Sequence, residues 1–508
     1  MVFSVFLMAI GLAACSKPSD YTSVIPDEPV IVFKTNVNNL LKKSEIMKDN
    51  QITALLKGAI NEMPEESREL MRSILADPAN SGFDLDKPVF AVMDNIEQAR
   101  GFLLFAVSDA EKVRRLLRVT DDDDVSFGEE AGYDLLKVEN HNMVALDDSK
   151  FLIAFSQGAC DVVEYIISTN KGNKGDALRT FISSEDDMSF YVAYKDILRL
   201  AEGVNPEAFA LVDAKQFENA KVVSSVNFET GKVVADTKFV DAEAVTDMWK
   251  GHLCKPSADL QKFVPGASLG FMQMGIRKMG DGFEKNIQEE QRAEFEQYLA
   301  KANAELKKKG LNEELSFSCL NSIDGGVIFG VSEADMKSLL PIPQMTFVAE
   351  CADDKLFRLI AGLLEGESLV TKSEANIYSL MGYTIGFADG KMFVMPNNLF
   401  GQCYAGGSLK GLPENLSDNE MAKTVGDKNG MVIDAKAVSG LIKQLGMVVS
   451  REERAVFDQL SEISQFTYMV NEDYSMEQVL EFEDAQTNSL KQIKDIAVSL
   501  AIGIAARN

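Results

Sequence analysis

The chain has 508 residues, 46% of them hydrophobic, with 78 acidic against 51 basic side chains and a formal net charge of −27. That apolar share builds sizeable cores, and at ~150 residues per domain the length suggests about three units. So acidic a surface repels phosphate backbones, which excludes nucleic acid as a partner, and it disfavours adhesion to anionic lipid heads; its ordinary use is solubility.

The N-terminus reads "VFLMAIGLAACSKPSD" from Val5 to Asp20, and no charge occurs before Lys17. Its apolar run of about 13 residues is short of the ~20 that a membrane-spanning helix needs. It matches a secretory h-region, which is ~7–15 residues long and ends on small residues. Leu12-Ala13-Ala14-Cys15 resembles a bacterial lipobox. The expectation is a signal peptide over 1–14, an acylated Cys15 as the mature N-terminus, and a tether over 15–22. Stable anchoring takes more than one acyl chain, which a multiply acylated cysteine supplies. No basic n-region precedes the run, so basic residues are expected upstream of Met1. By resemblance to lipoprotein sorting, Ser16 in place of Asp points to the outer membrane. The lack of an acidic run directly after Cys15 points to its periplasmic face.

Further along, Pro64 to Ala76 reads as a helix. "FLLFAVS" is a strand, and Asp109 caps a helix in which Val113, Leu116 and Leu117 fall at helical spacing. Asp121-Asp122-Asp123-Asp124 lacks the alternating ligands and glycine of a calcium loop and reads as a solvated turn. "NMVALDDSKFLIAFS" is a hairpin turning at Asp148-Ser149, and Cys160 to Ile167 reads as a helix. "VVSSVNFETGKVVADTKFV" turns at Thr230-Gly231, and Ala242 to His252 is helical. The longest helix is expected near Gly282 to Lys309, with Phe295, Leu299, Ala302 and Leu306 on one face. "IGFADGKMFVM" turns at Asp389-Gly390, a strong hairpin signal. Helices over Glu452 to Ile463 and Asn488 to Ala505 close the chain.

Blocks of this pattern recur in one order. Pro26 and Pro265, Phe90 and Phe329, and Val92 and Val331 stand 239 residues apart. Asp148 and Asp389, Lys150 and Lys391, and Lys195 and Lys436 stand 241 apart. Ala106 and Ala349, Lys112 and Lys355, Arg115 and Arg358, and Phe239 and Phe482 stand 243 apart. Conserved order with nearly constant spacing predicts an internal duplication. The expected fold is α+β: antiparallel sheets with helices packed on one face of each, made once over 23–256 and again over 257–508. Position-matched residues should play matched roles, with Phe90 and Phe329 both in a core.

The lipobox, Tyr21-Thr22-Ser23-Val24-Ile25-Pro26-Asp27, the strand Val30-Ile31-Val32 and the helix starting near Asn38 resemble a family of large lipoproteins from anaerobic gut bacteria, catalogued as a domain of unknown function. The resemblance covers most of the chain. It implies an envelope location and an unassigned role, and it brings no catalytic residues.

The usual marks of chemistry are missing. Only two histidines occur, His141 and His252, in no zinc-ligand spacing; His252 ends a helix, where it favours the dipole. Beyond Cys15, the cysteines Cys160, Cys254, Cys319, Cys351 and Cys403 form no C-x-x-C pair and read as small buried residues. Cys319 and Cys351 lie in strand-like runs that could meet across a sheet. Ser168 to Lys171 fits S-x-x-K without its partner motifs, and "YAGGSLKG" (404–411) reads as a turn. No catalytic residue, cofactor or metal is assigned. A glycosidase needs only two nearby carboxylates, but one tryptophan, Trp249, is poor furniture for a polysaccharide cleft. The reading is a non-enzymatic envelope lipoprotein, attached to the membrane by its N-terminal lipid and binding or scaffolding an unknown envelope protein or glycan. The alternative is a hydrolase using paired carboxylates.

Overall fold

The computed structural model describes residues 21–118, 125–130, 132–138, 141–156, 174–196, 198, 217–287, 289–311, 314–332, 344–365, 369–444 and 461–505. Cys15, the acidic run 121–124, Cys160, the helix expected from it, and Ser168 to Lys171 lie outside them. The described chain forms two compact units. The first comprises residues 1–197, 219–241 and 485–508; the second comprises 198–218 and 242–484.

In the first unit the strands are β1 (Ile31–Thr35), β2 (Val89–Asn95), β3 (Arg100–Ala106), β4 (Val125–Glu130), β5 (Tyr133–Val138), β6 (His141–Leu146), β7 (Lys150–Phe155), β8 (Met188–Ala193), β9 (Lys221–Glu229) and β10 (Lys232–Val240). All pair antiparallel, in the order β10-β9-β8-β1-β2-β3-β7-β6-β5-β4. The helices that bear on the argument are α1 (Val37–Ser44), α2 (Glu65–Ala76), α3 (Ala110–Arg118) and α4 (Asp176–Ser183).

The second unit opens with α5 (Glu243–His252) and β11 (Leu253–Cys254). Then come β12 (Ser268–Ile276), α6 (Met279–Asn286), α7 (Glu289–Lys308), α8 (Phe317–Leu320), β13 (Ile323–Ser332), β14 (Gln344–Cys351) and α9 (Lys355–Leu364). The strands β15 (Val370–Glu374), β16 (Ile377–Leu380), β17 (Tyr383–Ala388), β18 (Lys391–Pro396), β19 (Tyr404–Ala405) and β20 (Ser408–Leu409) follow. The helix α10 (Glu420–Val425) leads to β21 (Asn429–Asp434), β22 (Ile463–Val470) and β23 (Met476–Phe482). The sheet runs β23-β22-β21-β12-β13-β14-β18-β17-β16-β15, again wholly antiparallel. Taken in chain order, the ten principal strands of each unit occupy the same ten places. Lys150 and Lys391 each open the strand after a hairpin turn, and Arg115 and Arg358 each lie on a helix.

The final helix, α11 (Ser489–Ala505), packs on α1, β9 and β10, so it belongs to the first unit although it follows the last strand of the second. Its counterpart α5 follows β10 yet packs on α6 and β11 in the second unit. The units therefore interleave along the chain, where the sequence reading put one boundary at 256/257.

Helices lie on both faces of each sheet, not on one as expected. In β7, Phe151 joins a core with α2 and α3, while its neighbour Leu152 joins an opposite core with α4 and Tyr21. In β18, Met392 packs with Phe357 of α9, and Phe393 packs with α10. Successive strand residues point to opposite faces. Unbroken apolar strings such as "FLLFA" and "KMFVM" therefore mark strands buried on both sides.

Several local expectations are met and others are corrected. Asp389 and Gly390 turn with φ of 50° and 68°, the two positive values a two-residue type I′ hairpin requires. The long helix expected near 282–309 is two, α6 and α7, and Phe295 is 36% exposed while Leu306 is buried. "LSFSCL" holds the short helix α8, not a strand, and Cys319 and Cys351 are free thiols. Phe90 is fully buried, but Phe329 is only half-buried and its neighbour Ile328 takes the core position at 1% exposure. A one-residue slip in register moves a side chain to the other face of a sheet, which is the error in matching Phe90 to Phe329.

Candidate functional site

The second unit holds a cavity of about 950 Å³ whose described lining is almost entirely apolar. Its floor is the sheet. Met272 of β12 stands opposite Met431 of β21, which stands opposite Tyr468 of β22. Met274, two residues on, shares the face of Met272 because side chains alternate along a strand. Trp249 and His252 of α5 and Met279 of α6 form one wall. Phe295 of α7 and Phe317 of α8 form another, stacked with ring centroids 4.6 Å apart and planes 12° from parallel.

Small residues let these elements approach. A Cβ at Gly282 would meet the His252 ring at 2.5 Å, so glycine permits α6 to lie against α5. The Trp249 indole meets the Tyr474 ring edge-on, with centroids 6.0 Å apart. His252 Nδ1 lies 3.2 Å from the carbonyl of Arg277, and the Arg277 amide donates to the carbonyl of His252 at 2.9 Å. The ring is thus held at the helix end, as expected of a structural histidine.

The amides of the lining segments are already engaged, Gln273 on the face of the sheet away from the cavity and Asn429 beside it. Gln273 Nε2 donates to the carbonyls of Gly426 and Lys428, both at 2.9 Å, and its Oε1 accepts from Gln261 at 2.9 Å. Asn429 donates to the carbonyl of Cys254 at 3.1 Å and accepts from the Gly275 amide at 2.6 Å. No lysine, arginine, aspartate or glutamate is among the described lining residues. Burial pushes the Tyr468 phenol up from its ordinary value, as a largely dry wall should.

The first unit carries a different polar feature at the same strand position. Lys34 of β1 is fully buried. Its Nζ donates to the carbonyls of Phe181 and Ser184, both at 2.8 Å, and to Ser184 Oγ. It sits 5.2 Å from the centre of the Phe181 ring. These carbonyls close the C-terminal end of α4, where the helix dipole is negative. Burial lowers the ammonium to about 8, against the pull of nearby Asp186. Enclosed in this way, Lys34 closes a helix and does not face a substrate.

A carboxylate-lined depression also occurs in the first unit, around Arg114, Asp134, Asp147 and Asp148. Two of its four acids are held by close hydrogen bonds. Asp134 accepts from Arg114 Nε at 2.6 Å, and Asp147 accepts from Lys150 Nζ at 2.5 Å. Burial pushes the Asp147 carboxyl up, but hydrogen bonds from Lys150 and Ser149 outweigh it and hold it below its usual range. A general acid needs the opposite shift. Among the described residues no cluster of three or more His, Cys, Asp or Glu side chains is arranged to hold a metal. No described helix is long and apolar enough to cross a membrane. His141 opens β6 opposite Val138, and "YAGGSLKG" is the β19–β20 turn, with positive φ at Gly406 and Gly407.

Of the cavity residues the sequence singles out only Trp249, His252 and Phe295, and none of them as part of a binding site. The one signal present was "GFMQMG", whose methionines at 272 and 274 must share a face in any strand.

The chain is thus an α+β protein of two antiparallel units, one of them hollowed by an apolar cavity. It belongs to the family described as Domain of unknown function (DUF4836), which matches residues 21–490. No curated protein matches. Crystal form IV of TP0453 is similar at 10% identity, covering 45% of this chain and 84% of that one, with a TM-score of 0.28. Crystal form III of TP0453 is similar at 11% identity, covering 47% and 90%, also with a TM-score of 0.28.

Proposed function

We propose that the protein is a lipid-anchored envelope protein that binds an apolar partner and performs no chemistry on it. The observation that carries this reading is the cavity above: large, walled by methionine and aromatic side chains, and free of charged lining among the described residues. Binding sites are typically concave and mostly apolar with few polar groups, whereas a hydrolytic site needs titratable groups poised near working pH. A glycan would find few hydrogen-bond partners on such a wall.

The remaining parts of the reading rest on sequence. Acylated Cys15 would hold the chain at the periplasmic face of the outer membrane, supported by the lipobox and Ser16. An origin by duplication is supported by the ordered blocks and by the common strand order. On this reading the two copies diverged at one sheet face, where the first pairs Phe33 with Phe190 and the second lines a cavity with Met272 and Met431.

Two experiments test this. The chain with a basic n-region restored should fractionate with membranes, and its Cys15→Ala variant should not; sedimentation of the variant after a high-salt wash would refute the single anchor. Trp249 is the only tryptophan and lines the cavity. Its emission should therefore move when the protein meets an envelope extract separated into lipid and protein fractions. A spectrum unmoved by both fractions would refute the binding reading.

A further inference from the structure

We propose that the cavity accepts the hydrocarbon chain of a membrane amphiphile, with an uncharged or zwitterionic head left outside in water. This rests on the binding reading above and names its ligand.

Three observations lead there. The first is size. At about 950 Å³ the space is roughly six times the ~150 Å³ cavity that a benzene fills, so it suits a long chain better than a fragment. The second is how little polar demand and supply the described lining offers. Among the described lining residues Asn429 spends its donor on the Cys254 carbonyl, and the Gln273 side chain turns to the other face of the sheet. A peptide would bring amides that need partners, and buried polar groups without them are costly; a polymethylene chain brings none. The third is charge. The chain carries −27 overall, and no described lining residue is a lysine or arginine, so an anionic head would be repelled without local compensation. Methionine-rich walls adapt to ligands of variable length, since the thioether side chain is flexible and polarisable.

Trp249 makes the test local. The intact protein is titrated with a bromine-labelled long-chain fatty alcohol, with its unlabelled parent, and with phosphatidylcholine vesicles carrying the same labelled chain. The labelled alcohol should quench Trp249 saturably, and the parent should shift its emission to shorter wavelength. Quenching by vesicles as well would mean that the chain is taken from a membrane; quenching by the free alcohol alone would mean that a free amphiphile is bound. Met272→Glu puts a charge on the floor at a residue 39% exposed, where the fold tolerates it. It should weaken binding tenfold or more while far-UV circular dichroism is unchanged. Should that variant fail to fold, Phe295→Ala, at a residue 36% exposed, is read in its place and should weaken binding severalfold. No saturable quenching by alcohol or vesicles overturns the proposal, as does quenching that is undiminished in the folded variant. If an envelope protein fraction moves Trp249 while the amphiphiles do not, the hydrocarbon ligand is wrong and the binding reading stands.

Discussion

At the centre of each unit's sheet, one strand sends a polar side chain to the C-terminal end of a helix, and the two units use different residues. In the first, Lys34 of β1 reaches the carbonyls of Phe181 and Ser184 at the end of α4. In the second, Gln273 of β12 reaches those of Gly426 and Lys428 beyond α10. One residue earlier, the opposite faces also correspond. Phe33 stands beside Phe190 with ring centroids 4.9 Å apart, where Met272 stands beside Met431. The architecture demands that the orphan carbonyls be satisfied, but it does not dictate by what. Neutral Gln273 meets that demand without a buried charge, while Lys34 carries the desolvation cost of an ammonium. On the other face, two tilted rings in the first unit touch each other, whereas two methionines in the second floor a cavity.

The comparison can be broken most forcefully at the exchanged helices. Deleting the chain from Ser489 onward should expose α1 and β9 in the first unit. Hydrogen exchange should speed there and stay slow in β22; faster exchange in β22 instead would reverse the assignment of α11. The next effect concerns register. Phe90→Ala should cost ~3–5 kcal/mol and Ile328→Ala ~2–5, as truncations in packed cores do. Phe329→Ala should cost less than Phe90→Ala, and equal losses in chemical denaturation would restore the register matched from sequence alone.

Smaller effects fall on the helix closures. Lys34→Met removes the donor to the Ser184 carbonyl and one of three donors to that of Phe181, and should cost about 1–3 kcal/mol. Lys34→Gln, borrowing the second unit's solution, should recover part of that loss, and no recovery would mean that the two positions are not equivalent. A further effect at the same residue depends on pH. Lys34 titrates near 8 in the folded chain, below its ordinary value of 10.5, so between these values the unfolded chain binds more protons. Stability contributed by this group therefore rises as pH climbs from about 8 toward 10.5 and is flat below that window. Wild type should gain on Lys34→Gln over that range in parallel melts, and a gap constant with pH would overturn the lowered titration of Lys34.

Much of the local structure was legible. Asp389-Gly390 declares its hairpin because both residues accept positive φ, and Glu65–Ala76 declares a helix because its buried Leu70, Met71 and Ile74 recur at helical spacing. The two units share one strand order, and the recurring blocks were visible as well. Their exact alignment was not. Phe90 matched Phe329 in letters, while burial matched it to Ile328, because identity between short apolar strings carries no information about face when both faces are apolar.

What the sequence determined by itself is therefore whatever depends on neighbours in the chain: turns that need particular φ values, helices with a regular apolar stripe, and strands with their hairpin partners. Tertiary structure alone decided what depends on distant residues. That α11 covers the first unit and α5 the second, that Lys34 is enclosed at a helix end, and that Met272, Met431 and Trp249 come to share one cavity all follow from where separate elements meet. A methionine in a strand has the same local preferences whether a helix covers it or a hollow lies above it, so nothing in its own segment distinguishes a core from a binding site.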